Sequence, residues 1–242
     1  MSRAEKTAIV IATYAVENTD DAFILTRNGQ PVKTPAGGAY RLPTRALAEA
    51  VAAEWRAQGA KPQPATMPLT QLAATALDLL PQKREAIVNQ LIAYATSELL
   101  CHRVEVPAAL ARQQQEVWQP YLDWCALRFD ALLLVSKGVM PITQPPETLK
   151  ALRQTLSGYA DFPLSGLSAA VDACGSLVLG LALAERHQSA AFIFAAAELD
   201  ASYQMDRWGQ DPDIIARHAS LRRELEACEQ WFAGLVPLTQ DS

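Results

Sequence analysis

The fold is decided by residues 22–35, which read AFILTRNGQPVKTP. The first five residues are mostly apolar or β-branched, as is typical of strands, and the pair Asn28 and Gly29 follows soon after. An Asn-Gly pair favours a tight hairpin turn, because both residues tolerate the left-handed backbone that such a turn requires. The stretch therefore predicts an antiparallel hairpin near the start of the chain.

A second strand is predicted before this hairpin and a helix after it. Residues 7–16 are rich in β-branched and aromatic side chains, and Thr44 stands where the N-cap of a helix is expected. Gly59 follows the apolar positions of that helix and is placed as its C-terminal glycine. Because a small sheet needs cover on one face, we predict an α+β domain over residues 1–62.

Residues 63–242 are predicted to form a larger, all-helical domain. Apolar side chains recur at helical spacing from Leu69 to Leu80 and repeatedly beyond them. The last helices are predicted near residues 147–157, 162–185, 189–208 and 213–233. The apolar run 131–135 leaves two interpretations open, a buried strand that joins the N-terminal sheet or a continuation of helix.

The composition describes a globular chain with an acidic balance. The chain has 242 residues, of which 50% are hydrophobic and 19% charged, and its formal net charge is −5. This composition is not that of a disordered chain, and an acidic protein is poorly suited to bind nucleic acid. The balance leaves protein partners as the expected class.

Four cysteines indicate the compartment. Cys101, Cys125, Cys174 and Cys228 form no C-x-x-C pair, so we expect free, buried thiols in a reducing environment. The start of the chain lacks a signal-peptide pattern. These features predict a cytoplasmic protein.

One apolar run is long enough to cross a bilayer. Residues 164–184 carry Asp172 as their one charged side chain. Serines and glycines interrupt the run, and aromatic anchors do not flank it. We therefore predict a helix buried within the protein, with no membrane span. Gly175 and Gly180 are predicted to be points where another helix packs closely.

Catalytic parts are scarce in the sequence. The three histidines have no metal-binding spacing, and no phosphate-binding glycine pattern occurs. The neighbours Cys101 and His102 would diverge by about 100° on a helix, so they do not form a nucleophile–base pair. The sequence predicts a protein that is not an enzyme, with no catalytic residue, cofactor or metal.

Residues 198–209, ELDASYQMDRWG, are predicted to end a helix at Gly209. From spacing alone we expect Tyr203 and Trp208 to pack in the core, because apolar positions at helical spacing usually do. The acids Glu198, Asp200 and Asp206 are then expected to point away from the core.

Short motifs also occur in a fixed order over residues 28–209. They are NGQPVKTP (28–35), LPT (42–44), MPLT (67–70), LLCHR (99–103), WQP (118–120), GVMP (138–141), and LD, YQ and WG within 199–209. Each motif is weak alone. Their ordered run resembles the family of F-type ATP synthase assembly chaperones that bind the α subunit of the catalytic head.

The resemblance implies a small α+β domain followed by a helical one, and a role without ATP hydrolysis or cofactor. It also implies that the α subunit is the partner. The partner-binding candidates are Glu198, Asp200, Gln204, Asp206 and Trp208. The family tends to have several acids in a row after the position of Leu199, whereas Ala201 and Ser202 follow Asp200 here.

Two other functions remain open. A helical small-molecule-binding domain or enzyme predicts a deep pocket with converging polar groups and a titratable residue of shifted pKa. A structural scaffold predicts a permanent complex within the mature synthase. A chaperone instead predicts a transient complex with an unassembled subunit.

Overall fold

The computed structural model describes residues 13–59, 61–138, 142–209 and 212–236. Part of the strand predicted over residues 7–16 lies outside the described residues. The strands are β1 (Tyr14–Asn18), β2 (Phe23–Arg27), β3 (Gln30–Pro31), β4 (Arg41–Leu42), β5 (His102–Arg103) and β6 (Ser136–Lys137). The helices are α1 (Arg45–Arg56), α2 (Pro68–Ala74), α3 (Leu80–Thr96), α4 (Ala108–Phe129), α5 (Pro146–Gly158), α6 (Asp161–Cys174), α7 (Leu177–Ala184), α8 (Ala190–Ala197), α9 (Leu199–Trp208) and α10 (Pro212–Leu235).

A small antiparallel sheet opens the fold, as predicted. Strand β1 pairs with β2 along its whole length, and β2 also pairs with β3 and β4. Asn28 and Gly29 connect β2 to β3 with φ values of 52° and 76°. The left-handed turn expected of this pair is confirmed, and so is the α+β class with a mostly helical remainder.

Helix α1 covers the sheet. The Thr44 hydroxyl accepts a hydrogen bond from the Leu47 N–H at 3.1 Å, so the predicted N-cap is confirmed. Beyond it, Trp55 packs against the rings of Tyr14 and Tyr40. The predicted end at Gly59 is wrong, since the helix ends at Arg56. The chain has turned by Gln58, whose side chain accepts from the Gln63 N–H at 2.9 Å.

Helices α1 and α2 are joined by the contact of a half-buried carboxylate. Glu54 of α1 accepts hydrogen bonds from the backbone N–H groups of Leu69 and Thr70, both at 2.8 Å. These are donors that the first turn of a helix leaves unpaired. The predicted domain boundary at residue 62 falls in the connector between the helices, and one hydrophobic core continues across it. The division into two domains stays a prediction.

Both interpretations of residues 131–135, a strand that joins the N-terminal sheet and a continuation of helix, are wrong. The side chain of Gln144 binds both the N–H and the C=O of Leu134, at 2.9 and 3.0 Å. A buried amide therefore takes the place of a neighbouring strand. The strand that follows, β6, pairs in parallel with β5 in a separate two-stranded sheet.

The apolar run 164–184 is divided between α6 and α7. Gly175 ends α6 with φ 71°, and the Ser176 hydroxyl caps α7 by accepting from the Leu179 N–H at 3.0 Å. Within the described residues, no helix is long and apolar enough to cross a membrane. Gly180 is a close-packing point, since a Cβ there would lie 2.4 Å from a methyl group of Val171.

The end of the chain closes onto its beginning. The Thr44 hydroxyl donates a hydrogen bond to the Gly234 carbonyl of α10. A Cβ at Gly234 would lie 3.2 Å from the Cα of Leu47, so the two helices touch closely there. Nearby on α10, the Trp231 ring is fully buried, and its Nε1–H donates to the Phe162 carbonyl at 2.9 Å. Helix α10 thus completes the core that α1 begins.

Candidate partner-binding surface

The predicted helix over residues 189–208 breaks at Glu198, between α8 and α9. The Glu198 side chain is buried, and its carboxylate receives a hydrogen bond from Arg217 of α10. His218 Nε2 lies 2.8 Å from the same oxygen. The expectation that Glu198 points away from the core is therefore wrong. Its contacts hold the start of α9 against α10.

Helix α9 differs from its neighbours because none of its residues is fully buried. Gln204 and Asp206 are exposed, and the Trp208 side chain is 79% exposed. The expectation from spacing that Trp208 packs in the core is wrong. The helix ends as predicted at Gly209, with φ 93° and a hydrogen bond from its N–H to the Met205 carbonyl.

The first turn of α9 is attached to α4 through Asp200. The fully buried Gln114 of α4 donates from Nε2 to both carboxylate oxygens of Asp200, at 2.8 and 3.1 Å. Its Oε1 accepts from the Val104 N–H at 2.8 Å. An acid in the first turn also suits the positive end of the helix dipole. Asp200 is therefore a structural contact as well as a candidate for binding.

Two further contacts stiffen this attachment. The Nε1–H of buried Trp118 donates to the Ala196 carbonyl of α8 at 2.8 Å. The Arg103 guanidinium lies 5.4 Å from the centre of the Trp118 ring and donates to the Gln114 carbonyl at 3.0 Å. The start of α9 is thus fixed, while its remainder presents Gln204, Asp206 and Trp208. We call these three residues the α9 surface.

Sequence reasoning gave no role to Gln114 or Arg103. A signal was present for Gln114, since it stands between Leu110 and Trp118 at intervals of four on the apolar face of α4. A polar side chain in such a position needs a buried partner. Arg103 stood within the LLCHR motif, without any feature that predicted its burial.

The most strongly perturbed acid lies away from α9. Glu98 is fully buried, where its carboxyl accepts from the Ser176 hydroxyl at 2.5 Å and from the Val178 N–H at the start of α7. Burial raises the pKa of Glu98 to about 7, against the lowering effect of these hydrogen bonds. This carboxyl therefore serves the helix junction.

The four cysteines are free and buried, as predicted. Burial raises the pKa of each thiol to about 12, so the reactive thiolate is disfavoured. Cys101 is buried whereas His102 is exposed, so the two neighbouring side chains have different surroundings. Within the described ranges, no three His, Cys, Asp or Glu side chains are grouped to hold a metal ion.

Comparisons with known proteins show the family to which the chain belongs. Residues 10–126 match the model of the ATP12 chaperone protein family. The fold is similar to the crystal structure of Atp12 from Paracoccus denitrificans, with a TM-score of 0.87 and 32% identity. That match covers 93% of this chain and 97% of the other. The chain belongs to the ATP12 chaperone family.

Other relatives extend the comparison of this ATP12 chaperone. An aspartate-to-lysine variant of the P. denitrificans Atp12p gives the same TM-score and identity, over 92% of this chain and 95% of the variant. The mitochondrial protein atp12 of Schizosaccharomyces pombe is 24% identical over 202 residues, which cover 78% of this chain and 69% of that protein. The resemblance of the ordered motifs to this family is therefore confirmed. The protein is an assembly chaperone of the F-type ATP synthase.

Proposed function

We propose that the protein binds the unassembled α subunit of the F-type ATP synthase and prevents its aggregation until the β subunit pairs with it. An unassembled subunit exposes the apolar surface intended for its partner, and such a surface aggregates. A chaperone that covers it favours the dispersed form by mass action until β competes. The role needs an exchangeable contact surface.

The observation that carries the proposal is the exposed Trp208 on the α9 surface. Tryptophan is enriched among the residues that dominate binding energy at protein interfaces. Its ring is presented by a helix whose start is fixed by Gln114 and Asp200. A rigid support reduces the entropy lost when the ring is covered. Gln204 lies one helical turn before Trp208 on the same face, whereas the exposed Asp206 lies on another face of α9.

A role without catalysis is part of the same proposal. The small-molecule alternative expects a titratable group of shifted pKa in a pocket. Glu98, which has such a pKa, is enclosed between the segment after α3 and the start of α7 and accepts hydrogen bonds there. Its perturbation thus has a structural cause, and this favours binding over chemistry.

The test is co-purification with the α subunit, together with light scattering of that subunit as it aggregates. The wild-type protein should form a complex and suppress scattering. Trp208→Ala should weaken binding about tenfold or more, as loss of an interface anchor does. Asp206→Ala should weaken it less, because rim charges contribute little.

Phe192→Ala is the matched control. Phe192 lies on the adjacent helix α8 and is 63% exposed, so its truncation also removes an exposed aromatic ring. We expect it to leave α binding unchanged. Equal losses for Phe192→Ala and Trp208→Ala would refute the α9 surface, whereas no complex with wild-type protein would refute the function.

The cytoplasmic location is also a proposal. The S. pombe relative is named as mitochondrial, so the location needs a test of its own. Cell fractionation with an antibody to the protein decides it.

The scaffold alternative is tested in parallel by purifying the mature synthase. A chaperone should be absent from it, and a stoichiometric band would contradict the proposal.

A further inference from the structure

Arg103 is the one buried arginine among the residues that the structure describes. Six others have a carboxylate oxygen within 3.2 Å: Arg41, Arg56, Arg84, Arg128, Arg153 and Arg217. Arg103 is 5% exposed and has no carboxylate partner among the described residues. Its Nε–H and Nη1–H donate to backbone carbonyls, while Nη2 is enclosed and has no hydrogen-bond partner there. A buried cation without a counter-charge is costly.

This arginine lines an open cavity of about 520 Å³. The cavity lies between the first turns of α4 and the β5–β6 pair, and Arg112 and Lys137 line it from these two sides. Neither has an ion pair within the described parts of the chain. Glu105 contributes the one carboxylate of the lining. Three cations face one anion here, in a protein whose net charge is −5.

The cavity is connected to the start of α9 through Gln114. Arg103 donates to the Gln114 carbonyl, and the side chain of the same residue holds Asp200 at the start of α9. Beside the cavity, Val106 follows Glu105 in the chain and is 80% exposed. A polypeptide bound on α9 could therefore find apolar and cationic contacts on adjoining elements.

We propose that the Arg103–Arg112–Lys137 cavity binds a carboxylate side chain of the client polypeptide. This rests on the proposed function, since the client is the α subunit. The exposed Arg112 and Lys137 supply the charged donors that a carboxylate reaches. The buried Arg103 guanidinium, held in place by its contacts with Leu100, Gln114 and Trp118, adds positive charge behind them. Glu105 repels a doubly charged phosphate more than a single carboxylate, so the polypeptide source is favoured.

The first test uses the full chain and an N-acetylated tetraglutamate peptide as the probe. The NMR signal of the Arg103 Nε–H should shift on addition of the peptide. The double variant Arg112→Ala/Lys137→Ala should bind it about fivefold more weakly, as expected for two lost surface charge pairs. Mutating the exposed pair avoids the unfolding that loss of Arg103 would cause.

Two controls define the site. Lys33→Ala/Lys150→Ala removes the same charge from exposed positions elsewhere and should leave peptide binding unchanged. Glu105→Gln should strengthen binding about twofold by removing the repelling carboxylate. Unchanged binding in Arg112→Ala/Lys137→Ala would overturn the proposal. Displacement of the peptide by equimolar inorganic phosphate would also overturn it, by showing a general anion site.

The second test measures α-subunit binding to the same variants at several salt concentrations. Arg112→Ala/Lys137→Ala should weaken the complex and reduce its sensitivity to salt. If wild-type protein binds α and this variant binds equally well, the cavity proposal fails and the chaperone function stands. If the peptide binds but α does not, the proposed function fails and the assignment of the carboxylate to the client fails with it.

Discussion

Trp231 and Trp208 are the same residue type on consecutive helices, yet their surroundings are opposite. The Trp231 ring is fully buried on α10, whereas Trp208 is 79% exposed at the end of α9. A place is built for Trp231, since a Cβ at Gly166 would lie 2.4 Å from its ring and the Phe162 carbonyl accepts its N–H. The comparison teaches that burial is decided by what other elements supply, and spacing along one helix does not reveal it.

Of the variants considered, Trp231→Ala should destabilise the protein most. Truncating a fully buried tryptophan costs about 3–5 kcal/mol of the free energy of unfolding, and it also removes the hydrogen bond to the Phe162 carbonyl. Urea denaturation followed by far-UV circular dichroism measures the change. A loss as small as that for Trp208→Ala would show that the core around α10 is loose.

Glu98→Gln tests the buried part of the molecule through the pH dependence of its unfolding free energy. Because the folded pKa of Glu98 is about 7 against an ordinary value of 4.5, the folded state binds the extra proton between these values. The stability that Glu98 contributes should thus be present below pH 4.5 and fall as pH rises to 7, by up to about 3 kcal/mol. The difference in unfolding free energy between wild type and Glu98→Gln should follow this course.

The matched control for that experiment is Glu147→Gln, which makes the same change in an exposed residue of α5. Its unfolding free energy should stay within about 0.5 kcal/mol of wild type. A pH-independent difference between wild type and Glu98→Gln would contradict the raised pKa.

Gly180→Ala tests how tightly α7 packs. Alanine is the better helix former by about 1 kcal/mol. Its Cβ would, however, lie 2.4 Å from a methyl group of Val171, a buried and stiff side chain. Overpacking should prevail and destabilise the protein by about 1–2 kcal/mol. Gly158→Ala, which meets no atom within 4 Å, should be neutral or slightly stabilising in the same thermal melts.

The exposed tryptophan is the opposite case, and its truncation should have the smallest effect on stability. Trp208→Ala should change the free energy of unfolding by no more than about 0.5 kcal/mol, because an exposed side chain has little burial to lose. Its accessibility can be checked directly by iodide quenching, which should fall when a client covers the ring. A loss above about 2 kcal/mol would return Trp208 to the core.

Local features of the sequence predicted local structure well. Asn28 and Gly29 adopt the turn expected of them, and Thr44 caps α1, because each depends on atoms a few residues away. The motif order also predicted the family, which no single element could show. Of the candidates, Gln204, Asp206 and Trp208 are exposed on α9, and their role in binding stays a prediction.

Two of the errors share a different cause, which is a contact with a residue outside the segment itself. The segment 131–135 lacks strand partners because the amide of Gln144 occupies its backbone groups. The predicted helix 189–208 breaks because Glu198 turns inward to Arg217 and His218. The prediction of close packing at Gly175 is also wrong, since a Cβ there would meet no atom within 4 Å. Periodicity carries no information about such contacts.

The contact between Thr44 and Gly234 has a consequence for how the protein is made. The two residues are 190 positions apart. During synthesis the sheet and α1 leave the ribosome well before α10, which packs against α1. Contacts of such long range close late and slow folding. The apolar face of α1 therefore stays uncovered in the nascent chain until α10 has been made. An uncovered apolar face is the same hazard that a chaperone relieves in other proteins.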